Sequence, residues 1–524
     1  MGRIRSRKIK TESWKYTDWS GVFFLLAAVI MLGISVRLCF EDGIWYDELY
    51  TMGLTNRSFT ELTAFTARDV HPPFYYYYVK AVQGLCRMIS PQVSLVIVSK
   101  LCSVLPLLGL MVYGVTKVRR YFGMLCAGLF AFCVTAMPNL PQYTVEIRMY
   151  TLAMFLVTAA FLHGYGTVCR TEKKGLCADW VCLAVYGVLA AYTHYFACAA
   201  IAVLYLFLLV YFLYETFLHK APGDRAYVRQ YTFWKPWLAA VVFSIVAYLP
   251  WMTAVVRQVE QVKESYWILP LTWRIFGSCV KFLMKPPFGS GNFQVAAAVA
   301  LFAVYVGLFI YFIWKNRKNT AFCFACTAGT GILAGTVLFG VAASFLIRPV
   351  FIVRYMVPAA GCFWLSFAVF VSRAAEEKKL FLPVLCLILI LGIGDFRWFR
   401  NDETWRRVRM DEVKEALAFI GPEDVVVTQF NHVQGVTGYY LENKIYLWNS
   451  QPEELLCDII PDKYDTITAA EDLKELLENG VKVWFIGNRQ SDILTGWEQS
   501  GIHAKEYQEF MLEVYWTTLY ELSE

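Results

Sequence analysis

Long apolar runs dominate the chain up to residue 396. They comprise residues 21–40, 95–115, 181–199, 239–256, 295–314, 321–345 and 380–393. A helix needs roughly 20 apolar residues to cross the hydrocarbon core of a bilayer, so most of these runs are long enough to span it. The pattern predicts an α-helical polytopic membrane protein with about 11–13 spans.

The pattern of apolar positions changes after residue 396. Residues 411–420 and 471–478 have helical spacing, whereas residues 425–429 and 482–486 read as short buried strands. We therefore predict two domains: a membrane domain over residues 1–396, with an outer loop at about residues 41–73, and a small C-terminal α/β domain over residues 397–524. The second domain contains no phosphate-binding glycine loop.

Composition and charge separate the two parts further. The 524 residues are 58% hydrophobic and 17% charged, which is more apolar than an ordinary soluble domain. Residues 397–524 hold 12 Lys/Arg and 24 Asp/Glu, a net charge of −12, and residues 1–396 hold the remaining 36 and 18, a net charge of +18. The N-terminal part is therefore basic and the C-terminal part acidic.

Short loops rich in Lys and Arg mark the cytoplasmic side of a membrane protein. Such loops occur at residues 3–15, 117–120, 170–174, 220–229, 315–318 and 373–379. The loops around Asp47, Glu146, His194 and Arg348, and the C-terminal domain, are then expected outside. If residues 75–89 and 95–115 both crossed, residues 117–120 would lie on the wrong side, so either the first segment does not span or another short span lies nearby.

The first outer loop carries the most informative sequence, EDGIWYDELYTMGLTNRSFTELTAFTARDVHPPFYYYY. Asp47 and Glu48 lie just beyond the first span. A carboxylate there can accept a proton from an acceptor hydroxyl or amine that attacks a sugar carbon. The alternative interpretation is that both are solvated loop acids.

The same loop ends in Asp69, His71 and a diproline turn. Proline fixes φ and restricts the preceding residue, so the turn can hold His71 in one place where the chain returns to the bilayer. There His71 can donate a hydrogen bond to a lipid phosphate. The tyrosines at 75–78 can stack on sugar, or they can belong to the interfacial aromatic belt.

Two further outer segments carry cations. The segment MPNLPQYTVEIRMYTLA places Glu146 and Arg148 beside an apolar run, where a charge costs roughly 2.5–3.5 kcal/mol at a helix centre by insertion scales. The segment IRPVFIVRYMVP contains Arg348, Arg354 and Tyr355, and a guanidinium binds phosphate by forked hydrogen bonds. An interfacial anchor and a snorkelling arginine are the alternatives. His194, in AYTHYFA, is a weaker candidate that could equally be a packed histidine.

Taken in order between membrane spans, the motifs DE, HPPFYY, QYTVEIRMYTLA and RYMVP resemble those of the family 39 glycosyltransferases. That family includes protein O-mannosyltransferases, is similar to the lipid A aminoarabinose transferases, and has the C-type, multi-spanning glycosyltransferase fold. The resemblance covers about the first 360 residues and is strongest before residue 160.

The resemblance implies an inverting transfer on the outer face of the membrane, from a polyprenyl-phosphate sugar to a lipid, glycan or protein acceptor. In this reading Asp47, with Glu48 beside it, activates or orients the acceptor, and His71 binds the donor phosphate. Glu146 and Arg148 match the acid and the cation of the second outer loop. The substrate-binding set further includes Asp69, His194, Arg354 and Tyr355.

The chain departs from the family at Val145, where the family often has glutamine, and it lacks a tandem β-trefoil insertion. The second difference favours a bacterial-type enzyme of the cytoplasmic membrane. Two separated carboxylates do not decide whether a divalent metal binds, so no metal or cofactor is predicted. The expected partners are the polyprenyl-phosphate donor and membrane lipids; no feature indicates nucleic-acid binding.

Two other functions fit a polytopic chain: a secondary transporter and a non-catalytic scaffold for envelope assembly. Transporters commonly carry ionisable groups within spans, broken helices and related halves. Here the candidate groups lie in outer loops. The glycosyltransferase interpretation requires that Asp47, His71, Glu146, Arg148 and Arg354 meet in one cavity, and a scaffold has no such requirement.

Overall fold

The computed structural model describes residues 16–41, 43–169, 173–218, 224–264, 268–375, 378–399, 410–460, 462–513 and 515–524. Nine helices in these ranges are long and apolar enough to cross a membrane. They are Tyr16–Phe40, Leu95–Phe122, Tyr150–Cys169, Tyr195–Phe217, Phe233–Glu264, Gly291–Lys315, Thr320–Leu346, Val353–Ala374 and Leu382–Phe399. The chain is therefore an integral membrane protein, as predicted.

Two shorter apolar helices, Met124–Ala136 and Gly175–Ala191, belong to the same bundle. The first is buried along its whole length and packs against the N-terminal span. Their backbones nearly touch, because a Cβ built on Gly128 would lie 1.9 Å from the carbonyl oxygen of Gly21. Small residues allow such close helix packing in membranes. The nine long helices are fewer than the 11–13 spans predicted, and with these two shorter ones the described residues contain eleven apolar helices.

The apolar run at residues 181–199 is not a single span, contrary to its pattern. The helix ends at Ala191, and the next begins at Tyr195. The break occurs because the His194 ring accepts a hydrogen bond from the N–H of Phe196 and so caps the second helix. Two spans absent from the predicted runs, Tyr150–Cys169 and Val353–Ala374, are the most buried. Protein rather than lipid surrounds them, so their polar residues are tolerated.

The helix Phe74–Ile89 begins directly after the diproline turn and has only 16 residues. One face, with Tyr75 and Val79, is buried, whereas Met88 and Ile89 at its end are exposed. Its length and amphipathic character favour the alternative in which this segment does not span. Of the basic segments used to predict orientation, residues 3–15, 170–172 and 220–223 lie outside the described part of the chain.

Other short helices lie in the connections between spans. They are Phe59–Arg68 in the first outer loop and Arg274–Met284 ahead of the span that begins at Gly291. The stretch Phe233–Glu264 is itself divided: the helix that ends at Tyr248 is followed by a 3₁₀ turn and the amphipathic helix Met252–Glu264.

The C-terminal domain is built on a six-stranded mixed sheet, which confirms the predicted α/β class. The strands are β1 (Val425–Thr428), β2 (Ile445–Trp448), β3 (Tyr464–Ile467), β4 (Val483–Gly487), β5 (His503–Leu512) and β6 (Tyr515–Ser523). Their order is β3-β2-β1-β4-β6-β5. The first four are parallel, with Val427 opposite Tyr446 and Phe485, whereas β6 and β5 add an antiparallel hairpin.

Helices cover the sheet of this domain. They are Asp411–Leu417, Asn431–Tyr440, Glu454–Ile459, Ala470–Glu478 and Asp492–Gln499. The helices predicted at 411–420 and 471–478 are thus present, the first three residues shorter. The last membrane helix runs to Phe399, past the boundary predicted at residue 396.

The C-terminal domain packs on the helix Tyr46–Asn56 of the loop that follows the first span. Leu49 from that helix joins the apolar core of the domain. Gly435 allows the contact, because a Cβ there would lie 2.7 Å from the Tyr46 ring. The Tyr440 hydroxyl accepts a hydrogen bond of 3.0 Å from the N–H of Ile44. The loop that contains Asp47 is therefore held between the membrane bundle and this domain.

Candidate active site

Asp47 occupies the first turn of the helix Tyr46–Asn56. Its neighbour Glu48 is buried and accepts hydrogen bonds from the backbone N–H groups of Trp45 (3.1 Å) and Ile147 (2.8 Å). The first bond caps the helix, and the second ties the first outer loop to the second. These contacts give Glu48 a structural task that fixes the position of Asp47.

Two arginines from distant parts of the chain converge on Asp47. Its Oδ2 lies 3.5 Å from Nη2 of Arg148 and 3.8 Å from Nη1 of Arg354. Arg148 also donates a hydrogen bond of 3.3 Å to the backbone carbonyl of Asp47. Tight charge-assisted bonds measure about 2.7–2.9 Å. The two guanidinium groups are therefore close to the carboxylate without being fully engaged by it.

The cations around Asp47 determine its protonation state. Burial by itself would raise the pKa of this carboxyl, but Arg148 and then Arg354, with smaller contributions from His71 and His432, lower it below its ordinary 3.8. The ionised Asp47 carboxylate, paired with the arginines, therefore stabilises the folded state. This stabilisation is present above pH 3.8 and is lost as the pH falls through the lower pKa of the folded state. Asp47 is ionised at neutral pH.

The two predicted histidines, His71 and His194, lie beside Asp47 and the two arginines. Nδ1 of His71 is 3.3 Å from a carboxylate oxygen of Asp69, and the His71 ring centroid is 6.0 Å from that of His194. Nδ1 of His194 accepts from the N–H of Phe196, so the proton of the neutral ring is on Nε2. Burial first, and then the charges of His71 and the two arginines, hold the pKa of His194 well below 6.5. His194 is a neutral donor.

Several buried donors around Asp47 have no hydrogen-bond partner within the described ranges. They are the hydroxyls of Tyr50, Tyr76 and Tyr150, Nε of Arg148, and Nε2 of His194. A buried polar group without a partner costs about 1–3 kcal/mol, so such groups are rare and concentrate where a ligand binds. Arg148 and Arg354 add two guanidinium groups to these donors, and Asp69 as well as Asp47 acts on Arg148. This arrangement fits an anion.

An apolar cavity of about 480 Å³ adjoins these donors. His71, His194 and Tyr355 line the cavity where it meets the charged groups. The remaining wall is mostly apolar, with Gln258 as a polar member, and includes Val203, Phe339 and Ala343 from two of the spans. The cavity can therefore accept a long apolar group attached to an anion.

The other predicted residues take different positions. Tyr355 is buried, and its ring stacks on Phe196 at 4.8 Å and lies 5.3 Å from the ring of His194. Glu146 is also buried, and its backbone carbonyl accepts a hydrogen bond from the Ser103 hydroxyl. The carboxylate of Glu146 acts electrostatically on Tyr143. The geometry thus joins Asp47 with both arginines and both histidines, and places Glu146 among the groups that support the second loop.

Sequence reasoning missed the contribution of the C-terminal domain. The ring of His432 stacks on Tyr46 at 4.3 Å, and its charge acts on Asp47. No local pattern marks His432, because its partner lies almost 400 residues earlier in the chain. Tyr76 and Tyr150 do lie within the motifs HPPFYY and RMYT, so a search for hydroxyl donors beside the charged residues would have found them.

Within the described ranges, no group of three or more His, Cys, Asp and Glu side chains is arranged to hold a metal ion.

Solved structures share this architecture. The apo crystal structure of ArnT from Cupriavidus metallidurans matches with a TM-score of 0.57 and 13% identity, covering 96% of this chain and 98% of that one. The chain has the fold of ArnT. The structure of ArnT bound to undecaprenyl phosphate matches with a TM-score of 0.55 and 14% identity over 97% and 98% of the two chains. No protein-family model and no curated protein sequence matches this chain.

ArnT is an aminoarabinose transferase with the C-type glycosyltransferase fold, so the predicted fold class is confirmed. The likeness to ArnT extends over the membrane bundle and the C-terminal domain alike, because it covers nearly all of both chains. At 13–14% identity it establishes the fold, and the chemistry has to be argued from the residues of this chain.

A second buried charged cluster, absent from the sequence predictions, lies inside the bundle. Asp179 is 2.8 Å from Nδ1 of His163 and 3.3 Å from Nζ of Lys117, and the Tyr113 hydroxyl is 3.2 Å from the other His163 nitrogen. Lys117, predicted as part of a basic loop, is instead in a π-helical turn at the end of a span. The opposite charges neutralise one another and join three helices.

The neutral state of His194 predicts a pH-dependent stability. Below about pH 6.5 the unfolded chain takes up a proton at this site that the folded chain does not, so the free energy of unfolding falls as the pH falls. We expect the thermal midpoint in detergent to fall between about pH 7 and about pH 5, and to fall less steeply in His194→Gln. The exposed His503→Gln is the control and should keep the wild-type slope. Parallel slopes in wild type and His194→Gln would contradict the neutral assignment.

Proposed function

We propose that this protein transfers a sugar from a polyprenyl-phosphate donor to an acceptor, with inversion, at the Asp47 site. One observation carries the proposal: two arginines and a group of buried, unpartnered donors lie beside His194, which together with His71 and Tyr355 lines an apolar cavity. A phosphate satisfies these donors and accepts hydrogen bonds from the two guanidinium groups, and an isoprenoid chain fills the cavity. The undecaprenyl phosphate bound by ArnT, which has the same fold, supports this choice of ligand.

The donor phosphate binds where the arginines already lie. Arg148 and Arg354 are held loosely by Asp47, so they can turn part of their hydrogen bonding to a phosphate without leaving the site. Nε2 of neutral His194 donates to the same anion, and His71 stands beside it. The polyprenyl phosphate is the leaving group, and these donors stabilise the negative charge that it gains.

Asp47 acts on the acceptor. While both arginines face it, its pKa is low and it is a weak base. When the donor phosphate takes over part of the hydrogen bonding of the arginines, the carboxylate becomes more basic. The acceptor oxygen or nitrogen then attacks the anomeric carbon as its proton passes to Asp47, and the bond from that carbon to the phosphate oxygen breaks. Attack opposite the leaving phosphate inverts the anomeric centre.

The proposal includes a location and an orientation. The enzyme belongs to a bacterial cytoplasmic membrane, with the Asp47 site and the C-terminal domain on the outer side. The basic segments at residues 315–318 and 373–379, predicted to be cytoplasmic, support this orientation. The acceptor is a lipid, a glycan or a protein segment, and no nucleic acid takes part.

The rival functions account for fewer of the observations. A transporter would use ionisable groups within spans, and Lys117, His163 and Asp179 are such groups. The charges of these three groups are mutually compensated, however, whereas the Asp47 site has buried donors without a partner among the described residues. A non-catalytic scaffold gives no reason for buried donors that lack partners.

Binding of undecaprenyl phosphate to purified full-length protein in detergent tests the proposal, with native mass spectrometry as the readout. We expect undecaprenyl phosphate to bind, and undecaprenol or inorganic phosphate to bind at least tenfold more weakly, because the site has both a charged and an apolar part. Incubation with a mixed pool of polyprenyl-phosphate sugars, together with an extract of membrane lipids, glycans and proteins as the source of acceptor, should then release carrier phosphate. Equal binding of undecaprenol, or no release of carrier phosphate, would overturn the proposal.

The apolar cavity gives a separate prediction. Ala343→Phe places a large ring in the cavity, so we expect its KM for an undecaprenyl donor to rise about tenfold and its KM for a short, two-isoprene donor to change little. Ala239→Phe, which lines a different apolar groove, is the matched control and should behave as wild type. An equal rise for both donors would place the lipid chain elsewhere.

A further inference from the structure

The carboxyl ends of the parallel strands of the C-terminal domain meet the Asp47 loop. The strand order reverses between β1 and β4, and ligands of such sheets bind in the crevice at that point. His432 lies on the helix that follows β1. Glu513 lies in the turn between β5 and β6, whose antiparallel pairing brings this turn to the same edge of the sheet. His432 and Glu513, two titratable groups of the C-terminal domain, therefore both face the membrane domain.

Glu513 connects the C-terminal domain to the helix that carries Asp47. It is buried, and its carboxylate accepts one hydrogen bond from the backbone N–H of Tyr46 and another, of 3.1 Å, from Nδ1 of His432. Its backbone has a φ of 57°, a left-handed conformation that is uncommon for a residue other than glycine. Such strained positions concentrate at functional sites. The turn is shaped so that this carboxylate points at the first outer loop.

His432 is enclosed by acidic and aromatic groups from several elements. Its ring stacks on Tyr46 at 4.3 Å and meets the edge of Tyr515 at 5.8 Å. The charged groups that act on it are Glu513, Asp47 and Glu453. Burial lowers the pKa of His432, but the bond to Glu513 and these three charges outweigh it and raise the pKa above 6.5. The surroundings favour the protonated ring.

We propose that the C-terminal domain completes the active site, with His432, fixed by Glu513 and by the Tyr46 ring, as a positioning residue for Asp47. The inference rests on the function proposed above. Arg148 and Arg354 approach Asp47 from the membrane bundle, where the donor phosphate competes for them. His432 approaches from the other domain and keeps a positive charge beside Asp47 after the phosphate has taken over part of the hydrogen bonding of the arginines. It thereby holds the carboxylate in place for the acceptor.

The first arm of the test is the pH profile of transfer by full-length His432→Gln, with His503→Gln as control. His503 is exposed at the other end of β5, about 30 Å from Glu513. We expect kcat of His432→Gln to fall about ten- to hundredfold, the range for a reacting group displaced by up to an ångström, with KM for the donor unchanged.

The sign of the pH dependence distinguishes positioning from general damage. Wild-type kcat should fall as the pH rises through the raised pKa of His432, because the ring then loses its charge. His432→Gln should lack this alkaline limb, and Glu513→Gln should move it to lower pH because the main stabilising contact of the protonated ring is gone. A variant whose profile keeps the wild-type limb would overturn the inference.

A second arm needs no activity. Diethyl pyrocarbonate modifies neutral imidazole, so the modification rate of His432, followed by peptide mass spectrometry across pH, reports its titration. In Asp47→Asn the pH midpoint of the modification rate should fall for His432 and should not change for His503. An unchanged midpoint for His432 would overturn the inference. Absence of transfer in the wild type together with a shifted midpoint would instead overturn the proposed function alone.

Discussion

Asp47→Asn is expected to lower kcat for sugar transfer by about 10²–10⁴-fold, the usual contribution of a positioned acid or base. Asparagine has nearly the shape of aspartate, so the helix Tyr46–Asn56 should keep its place. The amide cannot take the acceptor proton, and it no longer balances Arg148 and Arg354. Initial rates with a polyprenyl-phosphate sugar pool, measured beside undecaprenyl phosphate binding, give the result.

The same substitution should leave donor binding intact or make it tighter, since the arginines lose a competing anion. Glu61→Gln is the matched control. Glu61 is an exposed acid in the same loop that caps its helix through Ser58, and glutamine can make the same capping contact. It should keep full activity. Equal turnover in wild type and Asp47→Asn would show that the assignment of Asp47 is wrong.

Arg148→Lys is expected to weaken the binding of undecaprenyl phosphate by roughly 10- to 100-fold. Lysine keeps the charge but not the planar fork, so the phosphate loses at least one charge-assisted hydrogen bond, worth about 1.5–3 kcal/mol. The binding of undecaprenol, which has no phosphate, should not change. Native mass spectrometry with both lipids measures the two dissociation constants.

The control for Arg148 is an arginine at the same end of the bundle that the site does not use. Arg348 is exposed and donates to the backbone carbonyls of Lys263 and Glu264. Arg348→Lys should bind undecaprenyl phosphate as wild type does. If the two variants bound the lipid equally, the phosphate would lie away from Arg148, and the cation cluster would have a structural role only.

These two predictions depend on groups that the sequence indicated but could not connect. Asp47 and Arg148 stood out because each lies at a membrane boundary, where an unpaired charge is costly. Their separation in the chain is 101 residues, and Arg354 is a further 206 residues away. No periodicity or motif spacing measures a distance across a bundle. Their convergence on one carboxylate is a property of helix packing.

The sequence was misleading where burial by protein replaced burial by lipid. The spans Tyr150–Cys169 and Val353–Ala374 are enclosed by other helices, so they tolerate polar residues that hide them from a search for apolar runs. The prediction of a single span at residues 181–199 was wrong for the opposite reason, because the apolar residues continue across a turn at His194. Hydrophobicity reports the surroundings of a residue and not the path of the backbone.

The amino-acid sequence by itself determined that this chain is a multi-spanning membrane protein with an acidic α/β domain, since solvent preference is set residue by residue. It also determined which loops carry chemically competent groups. Only the tertiary structure decided which of those groups share a site, that Glu48 braces the loop, and that His432 from another domain stacks on Tyr46 next to Asp47. Such pairings depend on contacts between residues hundreds of positions apart, and the folded backbone alone brings them within a few ångströms.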